Sequence, residues 1–368
     1  MKQRGGSIMR YLSVSALVIL ASFHPSHAAV EGTFKMDPVE LVAGRETPGD
    51  ESISAERYQY RYLFANEQNR EEFREHPEKY EIQLGGACGR MGILSGAGDL
   101  NRYAVYDGRI YIFASDQCRN TFLLDPAAVL DPEDAPVTTD EAASRRGREL
   151  IDRAVVAMGG AERLDAVRSY QHIIEKRMSI KGEQHHQRES LLLVYPAGVR
   201  QDYQWDESAW SHVESPLAGW TESSKGESRE LQPVERRFIT RTLHHRNPVS
   251  ILKARNDPGF TVAYAGPRSL TLGKKKFRVE EVHISYDGCT VTLGFDPNTD
   301  LIRTEAFVGR QSKIGETILV FTDHRDVSGL KVPAKYDVIF DGQPKEGATV
   351  EYTRIIIDDP DAENRLKK

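Results

Sequence analysis

An internal repeat in the first third of the chain limits most strongly what this region can fold into. Residues 62–77 and 111–126 match throughout at an offset of 49 positions. The matching pairs are Tyr62 with Tyr111, Phe64 with Phe113, Gln68 with Gln117, Phe73 with Phe122, and Pro77 with Pro126. Each copy predicts a Tyr-x-Phe strand, a polar helix cap at Asn66 or Ser115, and a helix that buries its Phe. Two such units can pack their aromatic faces together, so we expect one small α+β domain.

A longer, β-rich region follows a polar stretch. Residues 131–140 are acidic and Pro-rich, which predicts a linker because they cannot bury enough apolar surface to offset ordering. Residues 141–158 have helical spacing and end at two glycines. From residue 170 onward, apolar and polar residues alternate in short runs, which predicts about ten antiparallel strands with one buried face. Residues 234–254 interrupt this pattern with helical character.

The N-terminus has the three parts of a secretory signal peptide. It carries basic residues up to Arg10, then an apolar run over residues 11–23, then small residues that end at Ala28. The run is shorter than the roughly 20 residues needed to span a bilayer. We therefore expect cleavage after Ala28, a periplasmic or secreted protein, and no stable membrane insertion afterwards.

The charge balance disfavours nucleic acid as a partner. The signal peptide contains three of the 49 basic residues and no acidic residue, which leaves 46 basic against 55 acidic residues, a net charge of −9. Non-specific binding to nucleic acid or anionic lipid depends on Lys and Arg pairing with phosphates. We expect neither kind of binding from the chain as a whole.

The first region resembles the YHS domain, a short module often found with metal-handling proteins. The resemblance covers roughly residues 36–130 and includes the Tyr-x-Phe strands. Its other elements are Met36-Asp37-Pro38-Val39, Pro77-Glu78-Lys79-Tyr80, Gly85-Gly86-Ala87-Cys88 and Asp107-Gly108-Arg109-Ile110-Tyr111. Metal-associated members tend to have Cys and Met soon after Asp-Pro, where this chain has Glu40 and Val42.

The second region, roughly residues 140–357, resembles the LolA-like family of periplasmic lipoprotein carriers. The similar features are a leading helix that ends at Met158-Gly159-Gly160, three Trp residues near the middle strands, and the helical interruption. The resemblance implies an antiparallel, open β-half-barrel closed by helices, with an apolar cavity for acyl chains.

These interpretations give an α+β protein with five parts. The parts are a signal peptide (1–28), a YHS-like domain (29–130), a linker (131–140), a LolA-like β-rich domain (141–357) and a charged tail (358–368).

The cysteines are the first candidate site. Cys88 and Cys118 lie in the repeat region with Met91 nearby, whereas Cys289 lies far away in the β-rich region. Two thiolates and a thioether suit copper as Cu(I), while a structural Zn²⁺ site needs a fourth ligand that we do not find. A Cys88–Cys118 disulfide and a pair of inert buried thiols are the alternatives.

The sequence offers no recognisable catalytic arrangement. It contains no Gly-x-Ser-x-Gly nucleophile motif, phosphate-binding loop or His-x-x-x-His pair. The adjacent pairs His185-His186 and His244-His245 diverge on either a helix or a strand, so we expect solvated surface histidines. We therefore expect a non-enzymatic protein.

The resulting hypothesis is a periplasmic binding protein whose half-barrel takes an apolar ligand, such as a lipid or a lipoprotein acyl chain. The candidate cavity residues are Trp205, Trp210, Trp220 and Phe238, each of which could instead belong to the core. The alternative is a metal-binding or redox-sensing envelope protein that uses the YHS-like domain.

Overall fold

The computed structural model describes residues 32–93, 96–130, 137–180, 183–226, 228–310, 314–345 and 347–367. The predicted signal peptide and most of the predicted linker lie outside these residues. The N-terminal region contains, in chain order, β1 (Gly32–Phe34), α1 (Pro38–Val42), β2 (Asp50–Arg57), β3 (Tyr60–Phe64), α2 (Glu67–Glu75), α3 (Pro77–Tyr80), a 3₁₀ turn (Leu84–Gly86), β4 (Asp99–Tyr106), β5 (Arg109–Phe113), α4 (Asp116–Leu124) and α5 (Pro126–Val129).

The repeat is confirmed element by element. β2, β3, α2 and α3 return as β4, β5, α4 and α5, each 49 residues later. Asn66 and Ser115 cap α2 and α4, because each side chain accepts a hydrogen bond from the backbone N–H three residues later. Phe73 and Phe122 are buried, and each packs against the Tyr of its own Tyr-x-Phe strand.

The β-rich region consists of helices and two antiparallel sheets. It begins with α6 (Glu141–Met158) and α7 (Ala161–Asp165). Next come β6 (Ser169–Ile180), β7 (Glu183–Val194), β8 (Gly198–Trp205), β9 (Ser208–Glu214), β10 (Gly219–Ser223) and β11 (Ser228–Glu230). A helical segment follows: α8 (Pro233–Ile239), a π-helix (Thr240–His245), α9 (Pro248–Lys253) and a 3₁₀ turn (Ala254–Asn256).

The remaining strands complete the sheets. They are β12 (Thr261–Leu272), β13 (Lys275–Tyr286), β14 (Cys289–Phe295), β15 (Ile302–Arg310), β16 (Ile314–Val327), β17 (Leu330–Phe340), β18 (Gln343–Pro344), β19 (Val350–Glu351) and β20 (Arg354–Ile357), before a last 3₁₀ turn (Asn364–Leu366). The first sheet has the order β11-β10-β9-β8-β7-β6-β20, and the second runs from β12 to β18 with β19 on β17.

The predicted antiparallel, helix-containing β-rich region is therefore confirmed. The helix predicted over 141–158 matches the bounds of α6, and helices fill the predicted interruption. The strand number differs, because the described residues from 169 onward form 15 strands. The additional strands include β11, β18, β19 and β20, which are two to four residues long and too short to show alternation.

Helices cover the inner faces of both sheets. Leu150, Ile151 and Val155 of α6 join residues of both sheets in one large apolar core. Close packing of α6 on β12 requires Gly147, because a Cβ there would lie 2.7 Å from a methyl carbon of Val262.

The far half of the β12–β13 hairpin covers the outer side of β15–β17. Arg268 of β12 binds Glu316 of β16 through two N–O contacts of 2.7 Å each. A small apolar cluster under the hairpin contains Leu270, Val279, Ala306, Ile318, Val320 and Ile339. Both faces of β15 are consequently covered, which differs from the predicted single buried face.

The N-terminal region contacts the β-rich region through the 3₁₀ turn at 84–86. The Gly85 N–H donates to Gln232 Oε1 at 3.1 Å, and the Gly85 carbonyl accepts from Gln59 at 2.9 Å. A Cβ on Gly85 would lie 2.2 Å from Glu235 Cδ, and φ is +65°. Phe113 of the second copy also belongs to the large core of the β-rich region. The two-domain division remains a prediction.

Residues 358–367, the described part of the predicted tail, pack on the outer face of the first sheet. Ala362 and Leu366 contact Leu192 and Val194 of β7. Asp358 accepts a hydrogen bond from the Arg168 N–H at 2.7 Å. Among the described residues, no helix has both the length and the hydropathy needed to cross a bilayer.

Candidate functional site

The inner face of the first sheet carries an unusual row of side chains. Directly paired residues of antiparallel strands lie on the same face. Tyr203 pairs with Glu189 and Trp210, and Gln201 pairs with Leu191 and His212. Leu191 belongs to the large core, so this face of the sheet is the inner one. We call the following residues the inner row: Lys176, Gln187, Glu189, Gln201, Tyr203, Trp205, Trp210 and His212.

One end of the inner row is aromatic and contains two of the predicted cavity residues. The Trp210 and Tyr203 rings pack with centroids 4.2 Å apart, and Trp210 is buried. Trp205 is half-buried and stacks on His185 at 5.3 Å. This end therefore offers aromatic surface that is partly open to solvent.

The other two predicted cavity residues lie elsewhere. Trp220 pairs with Val213, the neighbour of His212 in β9, so it occupies the opposite face of the sheet. Phe238 lies in α8 and packs against the large core. The turn between β9 and β10 sets this register, and the spacing of the Trp residues in the sequence does not reveal it.

The middle of the inner row is polar and incompletely paired. Gln201 donates to Glu189 Oε1 at 2.9 Å. Within the described part of the chain, Glu189 Oε2, Gln187 Nε2 and His212 Nδ1 are buried without a hydrogen-bond partner. Buried polar atoms in native proteins are nearly always paired. Three such atoms on one face therefore mark a place where a bound molecule can complete the hydrogen bonding.

Burial shifts the pKa values of the ionisable residues in this row in the directions that favour their neutral forms. It raises the pKa of Glu189, against the opposing effects of the Gln201 hydrogen bond and of Lys176. Burial lowers the pKa of His212 to about 3, and it also lowers the pKa of Lys176. The row is suited to neutral hydrogen-bonding partners more than to a strong point charge.

The second sheet and the residues just before β20 place further ionisable side chains in the same interior. Glu305 of β15 is 3% exposed, and burial raises its pKa to about 8. Burial raises the pKa values of Tyr336 and Tyr352, and the nearby Glu189 and Glu305 raise them further. The Tyr352 ring stacks on His172 of β6 at 4.1 Å. Ionisable groups from both sheets thus share one interior.

The prediction for the second histidine pair was wrong. His244 and His245 are 4% and 7% exposed, and both lie in the π-helix. Burial lowers the pKa of His244 to about 3. His185 and His186 are half-buried on β7, and His185 binds Asp206 at 2.8 Å.

The structure brings the three predicted soft ligands together. Cys88 follows the 84–86 turn, and Cys118 lies in the first turn of α4. The Cys118 thiol acts electrostatically on Cys88, and both pack with Met91 in the large apolar core. Both cysteines are free thiols in this structure, and the metal site, the disulfide and the pair of inert thiols all remain predictions. Burial raises the pKa of Cys88, although backbone N–H groups that donate to its sulfur oppose the shift.

Another group with the geometry of a metal site is Glu72, Glu75 and His76, at the end of α2. Two of its three side chains are exposed, and acidic surface groups of this kind are common without a bound ion. We assign it no role.

No family model and no curated protein matches the chain. A DUF1329 family protein from Desulfovibrio piger is 8% identical, with 60% of this chain and 97% of that chain covered and a TM-score of 0.37. A protein from Vibrio parahaemolyticus, described as an outer membrane lipoprotein-sorting protein domain, is 9% identical (61% and 100% covered, TM-score 0.36).

A LolA superfamily protein from Nitrosomonas europaea is also similar, with 11% identity, 60% of this chain and 97% of that chain covered, and a TM-score of 0.37. The name of this last structure is that of the family that the β-rich region resembles. At these TM-scores the similarity assigns no role to any residue, and the YHS resemblance of the N-terminal region remains a prediction.

The sequence alone does not reveal the polar members of the inner row. Glu189 and Gln187 lie in a strand with polar residues on both sides, and charged residues in such a strand are usually solvated. The available signal is the run Leu191-Leu192-Leu193, which indicates that both faces of β7 are covered.

Proposed function

We propose that the β-rich region is a non-enzymatic carrier for an amphipathic ligand with an acyl chain, such as a lipid or a lipoprotein, in the periplasm. The observation that carries this proposal is the inner row itself. It joins a partly open aromatic end to a middle with three unpartnered polar atoms.

The aromatic end is suited to the chain of such a ligand. Tyr203, Trp205 and Trp210 offer flat apolar surface, and Trp side chains bury a large area against alkyl groups. Half-buried Trp205 is the member that a ligand reaches from solvent without displacing core residues.

The polar middle is suited to the headgroup. Gln187 Nε2 needs an acceptor, and a hydroxyl, ester or amide oxygen supplies one. Glu189 Oε2 accepts from a hydroxyl or amide N–H when ionised and donates to a carbonyl when protonated. The ligand inferred from these atoms is therefore amphipathic, whereas the sequence predicted only an apolar one.

Lipid transfer to the purified protein tests this proposal. The mature protein is mixed with vesicles that contain a fluorescent phospholipid, and the bound lipid is measured after the vesicles are removed. Trp205→Ala should lower the affinity by at least about 10-fold, since stacking and burial against one Trp contribute more than 1.4 kcal/mol. Trp220→Phe on the outer face is the matched control and should bind like the unmodified protein.

Lipid uptake that responds equally to Trp205→Ala and Trp220→Phe would place the ligand away from the inner row. If circular dichroism shows that both variants are folded and no lipid is taken up at all, the protein does not bind an acyl ligand.

A further inference from the structure

The repeat supplies two copies of one pocket with different chemistry. In the first copy, buried Asp37 accepts hydrogen bonds from the backbone N–H groups of Val39 and Glu40 at 2.9 and 3.1 Å. Its other oxygen accepts from the Ala65 N–H and from Asn69 Nδ2, both at 2.7 Å. Asn69 Nδ2 also reaches Glu40 Oε1 at 3.1 Å, which closes a polar network.

The second copy places Cys88 where the first has Asp37. The Asp37 N–H donates to the Thr47 carbonyl at 2.8 Å, and the Cys88 N–H donates to the Gly96 carbonyl, 49 residues after Thr47, at 3.0 Å. The isolated bridge Met36–Pro48 likewise recurs as Ala87–Ala97. The offset is 51 before this loop and 49 after it, because the first copy's loop is two residues longer.

The hydrogen bonds to the side chain follow the same correspondence. The Cys88 sulfur accepts from the backbone N–H groups of Arg90, Met91 and Ala114. These positions match Val39, Glu40 and Ala65, the three backbone donors to Asp37. A pocket whose N–H groups hold a buried carboxylate in one copy can hold a thiolate in the other.

All three functional side chains change together between the copies. Asp37, Glu40 and Asn69 correspond to Cys88, Met91 and Cys118. In the first copy their polar atoms lie within hydrogen-bond distance of one amide nitrogen. The same backbone positions therefore direct two thiols and one thioether toward a common point.

We propose that Cys88, Cys118 and Met91 bind a single Cu(I) ion. Sulfur ligands without oxygen or imidazole select a soft, monovalent ion. On binding, each thiol releases its proton to solvent and forms one Cu–S bond, and the Met91 thioether completes a trigonal set. The three N–H groups offset the resulting single negative charge. The site is independent of ligand binding by the β-rich region.

Competition with a chromophoric Cu(I) chelator tests the site. The reduced, mature protein is titrated anaerobically with Cu(I), and we expect one ion per chain to be withheld from the chelator. Cys118→Asn should weaken binding by more than about 100-fold, because it removes a ligand outright. Cys289→Ser, in β14, is the matched control and should leave the affinity unchanged.

A second variant separates loss of the site from loss of the fold. The triple change Cys88→Asp, Met91→Glu and Cys118→Asn installs the first-copy network and should fold, as measured by circular dichroism, without binding copper. The proposal is overturned if the unmodified reduced protein withholds no Cu(I), including the case in which it only forms a Cys88–Cys118 disulfide on oxidation. Equal Cu(I) affinity in the folded triple variant would overturn it as well.

Discussion

Individual buried polar residues affect stability differently in the two regions. Asp37 is fully buried and has four donors for its two oxygens, so it stabilises the first copy of the repeat. Glu305 is also buried in the β-rich region, and burial raises its pKa to about 8 against the opposing charge of Arg246. The first residue is expected to stabilise the fold and the second to destabilise it at neutral pH.

Asp37→Ala should lower the free energy of unfolding by about 3 kcal/mol, because the change removes a helix cap and leaves buried N–H groups unpaired. Urea denaturation measures this loss. Exposed Glu75→Ala in α2 is the control and should stay within about 0.5 kcal/mol of the unmodified protein. Equal effects of the two changes would contradict the assigned role of Asp37.

Glu305 should make stability depend on pH. Its pKa is about 8 when folded and near the ordinary 4.5 when unfolded, so the folded state holds the extra proton between these values. Its contribution to stability is therefore present below pH 4.5 and is lost as the pH rises toward 8. Glu305→Gln should remove that loss, on the order of 3 kcal/mol.

The measurement is the free energy of unfolding at pH 5 and pH 8 for both proteins. The buried histidines act in the opposite direction below pH 6.5 in both, so the difference between the proteins isolates Glu305. An identical pH dependence would show that Glu305 is not buried as described.

At the scale of elements, the sequence predicted the helices and strands that follow from local patterns. It did not predict which strand faces are covered by residues distant in the sequence. The helix caps at Asn66 and Ser115, helix α6 and the antiparallel strands follow from local signals. The buried position of Glu305 does not. Its cross-strand partner Leu293 belongs to the large core, so Glu305 faces the interior, whereas the β12–β13 hairpin covers the opposite face of β15 at Ala306. Alternation alone predicts a solvated Glu305, whereas the residue is 3% exposed.

Close backbone approach in the β4–β5 hairpin gives a prediction for this element. A Cβ on Gly98 would lie 2.5 Å from Ile112 Cγ1 and 2.7 Å from the Ile112 carbonyl carbon. Gly98→Ala should therefore cost about 2 kcal/mol of stability. Gly96→Ala, two residues away with open space around it, is the matched control for urea denaturation. A loss no larger than that of the control would contradict the packing described.

At the scale of the whole molecule, the N-terminal region is joined to the β-rich region at the 84–86 turn and through Phe113. The sequence predicted two parts and a linker, but it carried no signal for this contact, since Gln232 lies 147 residues from Gly85. The repeat and the β-rich region were predictable from local patterns, whereas their docking depends on pairings between distant residues.

The docking predicts how the protein behaves after limited proteolysis. We expect cleavage within residues 131–140, the predicted linker. The two fragments should then elute together on size exclusion, because the 84–86 contact remains. In Gly85→Ala, which forces a Cβ against Glu235, the fragments should separate. Fragments of the unmodified protein that separate at once would contradict the contact.

The binding of an amphipathic ligand to the inner row of the first sheet is the function inferred for the whole protein. Native mass spectrometry of the protein purified from its own cell envelope tests this claim most directly. We expect an added mass that fragments to an acyl chain and that is lost in Trp205→Ala but retained in Trp220→Phe. Protein at its bare mass from the same envelope, or an acyl adduct that both variants retain equally, would contradict it.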